Sequence, residues 1–200
     1  MPRKSDSRER MLGAAVRLIQ RQGYHATGLK QVVEESETPR GSIYFHFPEG
    51  KDQMIGEALG IAKDVVAATI DRVAQRSDSP AAFVEGLGTA MATWLTRSDF
   101  VEGCPVATVA LEVAPLHDTL TPASEQAFTL WIDQIAGHLV DLGLDADEAD
   151  AVAVSSMAAL EGGMILARVR QDAAPLPFHW ASPKTSPALR NARISPSCIT

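Results

Sequence analysis

Cysteine is nearly absent. Of the 200 residues only Cys104 and Cys198 are cysteines, far apart and without a Cys-x-x-Cys partner pattern. That excludes a disulfide framework and fits a reducing compartment. Aromatics make up 6% of the chain, and no stretch alternates apolar and polar residues with period two for long, which excludes a sheet protein. No apolar run is long enough to suggest a bilayer crossing, and Arg17 and Arg21 break the first apolar stretch, so no signal-peptide core forms. The expectation is a soluble, cytoplasmic protein with no membrane partner. Enzyme signatures are missing as well. His117-Asp118 is a single pair, and His138 with Asp141 spans one helical turn; neither has a third ligand nearby. There is no phosphate-binding glycine loop and no nucleophile elbow. Neither enzymatic activity, cofactor nor metal is expected.

Positive charge is also scarce, but unevenly so. The net charge is −7, yet residues 1–51 sum to +3, residues 52–172 to −13 and residues 173–200 to +3. A basic N-terminal module on an acidic body presents one face to phosphates while the body repels them.

What is present is helical periodicity. Residues 7–22 place Leu12, Ala15, Leu18 and Ile19 on one apolar face, and Gly23 ends the run. Thr27 is expected to cap a helix over 28–36, with Leu29, Val32 and Val33 inward. Ser36-Glu37-Thr38 makes a turn, and Pro39 opens a third helix at the position that needs no backbone donor. In that helix Ile43 and Phe47, four apart, face a core. Arg40, Ser42, Tyr44 and His46 face outward as phosphate-seeking or base-reading groups. Gly50-Lys51 then restarts a helix whose free N–H groups form an anion site. Three helices with a three-residue turn between the last two match a helix-turn-helix.

At these residues, GYHATGLKQVVEESETPRGSIYFHFPEGKDQM, the chain resembles the DNA-binding domain of tetracycline-repressor-type (TetR) regulators. GCPVATVALE, residues 103–112, is similar to the lincomycin-resistance-repressor branch of that family. The resemblance implies a helix-turn-helix domain over 5–65, with the motif at about 28–47, and an effector-binding and dimerisation domain over 66–172. It implies that Thr27, Arg40, Tyr44, His46 and Lys51 fall where relatives touch DNA. The implied function is a homodimeric repressor that binds a palindromic double-stranded operator and is released by a small-molecule effector. Relatives usually carry Gly where this chain has Glu37; a left-handed backbone there would cost about 1 kcal/mol.

The body is read as all-α. Ile55, Leu59, Ala62, Val66, Ile70 and Val73 form one stripe over residues 51–76. Ser79-Pro80 and Thr121-Pro122 open further helices, and Asp145 with Glu148 resembles a capping box for residues 146–171. Met91, Trp94, Phe128, Trp131 and Met157 are candidates to line an effector pocket, with Cys104 a packed side chain beside them. Glu112 and Glu161, among apolar neighbours, are candidates to receive a cationic ligand. Ser155, Ala159, Gly162 and Gly163 leave a bare strip where another helix can approach closely, so they are the candidate dimer face. Residues 173–200 hold five of the twelve prolines, which excludes a helix. Relatives usually continue helically there, and a chain ending at Asp172 is expected to fold unchanged. Two other readings stay open: an all-α enzyme, and a ligand-binding protein with impaired DNA binding.

Overall fold

Apolar residues at spacings of three and four, with a capping residue or glycine at most breaks, fold this chain into helices and no strands among the described residues. The computed structural model describes residues 4–176; the prolines expected to keep the tail irregular lie almost wholly outside them. Among the described residues eight α-helices run in order: α1 (Lys4–Ala26), α2 (Leu29–Glu35), α3 (Ile43–His46), α4 (Lys51–Ala74), α5 (Pro80–Arg97), α6 (Pro105–Val113), α7 (Leu120–Asp141) and α8 (Ala146–Arg170). A 3-10 turn, Arg40–Ser42, leads into α3. The small N-terminal unit is α1 to α3 with the start of α4. The remainder is a bundle in which α4 packs on α7, α7 on α8, and α5 on α4 and α8.

Local sequence explains most boundaries. The run of α1 is broken at Gly23, whose φ of 77° and ψ of −173° are not helical, as the glycine there leads one to expect. Ser79 Oγ accepts from the Ala82 N–H with Pro80 at the first turn, and Asp145 accepts from the Glu148 N–H; both caps read true. Thr27 does not cap α2. Gly28 holds that position, with its N–H donating to Gln31 Oε1 at 3.0 Å. Pro39 is the cap of the 3-10 turn rather than a first helical residue. Nor does Thr121-Pro122 open α7: the helix starts at Leu120, and His117 Nδ1 accepts from the Thr119 and Leu120 N–H groups. An imidazole does there what sequence patterning sought in a hydroxyl.

Two further expectations are corrected. Helix α8 is long and apolar enough, by length and composition, to cross a membrane. Its inner face, including Val152, Leu160 and Met164, is buried in the bundle. The tail also contributes to the fold, because Leu176 is fully buried and seats on Gly163.

Candidate nucleic-acid interface and its link to the helical domain

Helix α3 is one turn long, so its placement depends on two anchors. Ile43 and Phe47 are both buried in the core. They belong to the same core as Leu12, Ala15 and Ile19 of α1 and Val32 and Val33 of α2. The guanidinium of Arg8 lies 5.3 Å over the Phe47 ring and pairs with Glu57 of α4. With those anchors inside, the intervening residues must point out. Tyr44 and Phe45 are each 66% exposed. Phe45 is the residue that sequence reasoning missed, although the four-residue spacing of Ile43 and Phe47 already sends it outward.

The other expected contacts are placed unevenly. Ser42 is half-buried and its hydroxyl donates to the Pro39 carbonyl at 2.6 Å. His46 is half-buried, its ring edge-on to Phe45. Thr27 is fully buried and donates to the Gly23 carbonyl at 2.6 Å, so its hydroxyl closes the turn after α1 instead of facing outward. The side chain of Arg40 lies outside the described residues. In the turn before α3, Glu37 has φ 53°, the left-handed conformation that glycine adopts without steric cost. Arg10 Nη2 donates to the Glu37 carbonyl at 2.6 Å and holds that turn against α1. Much of the basic charge of the module is already paired: Arg17 with Glu35 at 2.8 Å and Arg21 with Glu102 at 3.0 Å.

Lys51 opens α4 and is not left facing a bare helix terminus. Its Nζ sits 4.1 Å from the centre of the Tyr24 ring. Burial pulls its pKa down, partly offset by the charges of Asp52 and Glu112. The Tyr24 hydroxyl donates to Asp52 Oδ1, and burial, then that bond and the Asp52 charge, push its pKa up to about 12. His117 Nε2 lies 3.5 Å from Asp52 Oδ2. The His25 N–H donates to Glu112 Oε2 at 2.7 Å. Gly23 makes room for this carboxylate: a Cβ there would fall 1.8 Å from Glu112 Oε1. Together these contacts latch the end of α1 and the start of α4 to α6 and the loop after it. Sequence placed Glu112 among pocket residues, where it lines a hollow's edge, and read His117 as an isolated pair with Asp118. The latch escaped notice because its members come from four separate segments.

The effector candidates divide between two spaces. Met91, Trp94, Cys104, Trp131, Met157 and Glu161 surround an inner cavity of about 30 Å³. Cys104, Glu112, Phe128 and Glu161 line an outer hollow of about 490 Å³ between α6 and α8. Cys104 and Glu161 belong to both. Trp131 is buried, with its indole N–H donating to the Lys63 carbonyl at 2.9 Å. Phe128 meets Trp131 edge-on. Cys104 Sγ accepts from the Ala107 N–H and caps α6. Burial pushes its thiol well up, helped by the neighbouring Glu161 charge, so it is a packed thiol and not a ready thiolate. Burial also raises the Glu161 carboxyl.

The small-residue strip splits across α8. Ser155 and Ala159 are exposed, and nothing stands within 4 Å of a Cβ added at Gly162. Gly163 faces inward, where a Cβ would meet Leu176 Cδ2 at 3.1 Å and the Pro175 carbonyl at 3.4 Å. It is therefore a packing glycine of its own subunit, against the expectation that it shares the outer face. Beside the outward members stand exposed Val154, Ile165, Leu166 and Val169.

Comparison with known proteins agrees with this geometry. Residues 11–58 match the model of bacterial regulatory proteins of the tetR family, and residues 80–178 that of the LmrA/YxaF-like transcriptional regulator C-terminal domain. The chain is 33% identical over 176 residues to the HTH-type transcriptional regulator YxaF of Bacillus subtilis, covering 88% of this chain and 92% of that one. It is 32% identical over 171 residues to LmrA of the same organism, with 86% and 91% covered. A TetR transcriptional regulator from Legionella pneumophila superposes with a TM-score of 0.75 at 26% identity, covering 84% of this chain and 90% of that one. The chain is a DNA-binding transcriptional regulator and belongs to the tetR family, with an LmrA/YxaF-like C-terminal domain.

Proposed function

We propose that the chain is a homodimeric repressor that reads a palindromic operator and is released by a small-molecule effector. The observation that carries the DNA reading is the exposed Tyr44–Phe45 pair on a helix locked from behind by Ile43 and Phe47. Ser42, His46 and Lys51 flank it as polar contacts to the duplex, with Arg40 beside them; Thr27 acts there through the turn it closes. Self-association is supported by the outer face of α8, where Ser155, Ala159 and Gly162 let a second helix approach among exposed Val154, Ile165, Leu166 and Val169. A contiguous apolar patch of this kind on a soluble protein marks an interaction face.

The latch supports the switch. A ligand that fills the hollow under α6 moves that helix, and the Glu112–His25 bond and the Asp52–Tyr24–His117 cluster carry the shift to the DNA-binding unit. Its effect equals the difference in the ligand's affinity for the two arrangements. The reading with impaired DNA binding gains one point from the strained Glu37, but a cost of about 1 kcal/mol is small beside specific binding.

Fluorescence anisotropy with the DNA upstream of the chain's own gene tests the proposal. Saturable binding is expected, weakened at least about tenfold by Tyr44→Ala if that ring makes a base contact worth about 1–3 kcal/mol. Equal affinity for scrambled DNA of the same length, in both proteins, would contradict it.

A further inference from the structure

Cations are rare in residues 52–172, six against nineteen carboxylates, yet three of the six line one groove. Arg72, Arg76 and Arg97 rim a trough of about 490 Å³ between α4 and α5, with Val16 and Gln20 of α1 in its wall and no carboxylate in its lining. Random placement in so acidic a body would put carboxylates there. None of the three arginines forms an ion pair among the described residues: Arg72 donates only to the Ala68 carbonyl and Thr69 Oγ1, both neutral. The floor is apolar and partly uncovered, with Ile61 and Val65 exposed beside Met91 and Trp94. DNA does not explain these charges. Arg72 stands twenty-one residues along α4 from Lys51, about 30 Å at 1.5 Å per residue, far from a duplex seated on α3.

We propose that this groove binds an amphiphilic anion. A carboxylate head sits between Arg72 and Arg76, which are neighbours four residues apart, and an apolar body lies along Ile61, Val65 and Trp94. The volume is that of a small-molecule site, and charge-assisted bonds to guanidinium suit a carboxylate. The inference rests on the reading of the helical domain as effector-binding and adds to the hollow under α6 a second site, for which it names the ligand class. Because α1, α4 and α5 all wall the groove, an occupant touches the DNA-binding unit and the bundle at once.

The full chain is titrated with dodecanoate, dodecanol and dodecyltrimethylammonium, each below its micelle concentration, and followed by tryptophan fluorescence and thermal shift. Dodecanoate is expected to bind at least about tenfold more tightly than dodecanol, the factor one charged hydrogen bond supplies, and to raise the melting temperature. The double variant Arg72→Gln/Arg76→Gln should lose about that factor. Val65→Glu, at an exposed position, should also lose it while the free protein melts unchanged. Equal binding of dodecanol and dodecanoate, unaltered affinity in the arginine variant, or a preference for the cation (which would move the site to the hollow beside Glu161) overturns the inference. Operator binding is measured separately: its absence with dodecanoate binding intact contradicts the regulator reading alone.

Discussion

Two single residues carry costs that the fold accepts. Glu37 holds φ 53° in the helix-turn-helix turn. Glu37→Gly should therefore stabilise the protein by about 1 kcal/mol, read as a higher denaturant midpoint with unchanged slope. The Arg10 bond is to the backbone carbonyl, so the substitution leaves it in place. Glu161 has the other cost. Its carboxyl titrates above its ordinary value because of burial, so the folded state holds that proton more tightly than the unfolded chain. The sign follows: stability from this group is full below the ordinary carboxylate pKa, falls as pH rises towards the raised value, and stays low above it. Glu161→Gln should raise the melting temperature at pH 7 and flatten that decline; a lower melting temperature at pH 7 would show that the ionised carboxylate is stabilising. The Glu37 conformation was legible from sequence only through the resemblance, which implies a glycine at that position. The state of Glu161 was legible only as a carboxylate among apolar neighbours, since the residues that surround it, Met91, Cys104 and Phe128 among them, are distant in sequence.

Among the elements, α8 separates what a sequence pattern reveals from what it hides. Small residues at 155–163 announced a close-packed strip, but two adjacent glycines point in opposite directions. Gly162→Leu should leave the monomer fold intact and disrupt self-association, whereas Gly163→Leu should lower the melting point by displacing Leu176. Equal behaviour of the two variants would refute the division, and sedimentation with thermal melts distinguishes them. Leu176 itself shows why the tail misled: composition excluded a helix, but one leucine needs no helix to fill a site. Leu176→Ala should cost about 2–5 kcal/mol, as buried leucines do, and a chain ending at Asp172 should lose a similar amount in a denaturant melt. Helix α6 and its latch were the least legible element. Its Cys104 cap is an unusual acceptor, and the partners of Glu112 and His117 lie on α1 and α4, distances in sequence that no local periodicity spans. By contrast the anchors of α3 and the caps of α5 and α8 could be read directly, since each is set by residues within one turn.

At the scale of the whole molecule, the function proposed above makes the bundle, latch and short helix α3 parts of a twofold assembly. One module on one half-site buries little DNA-facing surface and gives weak, largely electrostatic affinity. In the proposed dimer, joining two through α8 would make the second contact intramolecular and raise apparent affinity by about 10² or more. The arrangement requires the two α3 helices to enter successive major grooves on one side of the duplex, about 34 Å apart. Hydroxyl-radical footprinting of the chain on its own upstream DNA measures this directly. Two protected patches related by twofold symmetry are expected, centred one helical turn apart and both lost together in Gly162→Leu. A single protected patch of unchanged affinity in that variant, or no protection at any site, would contradict it.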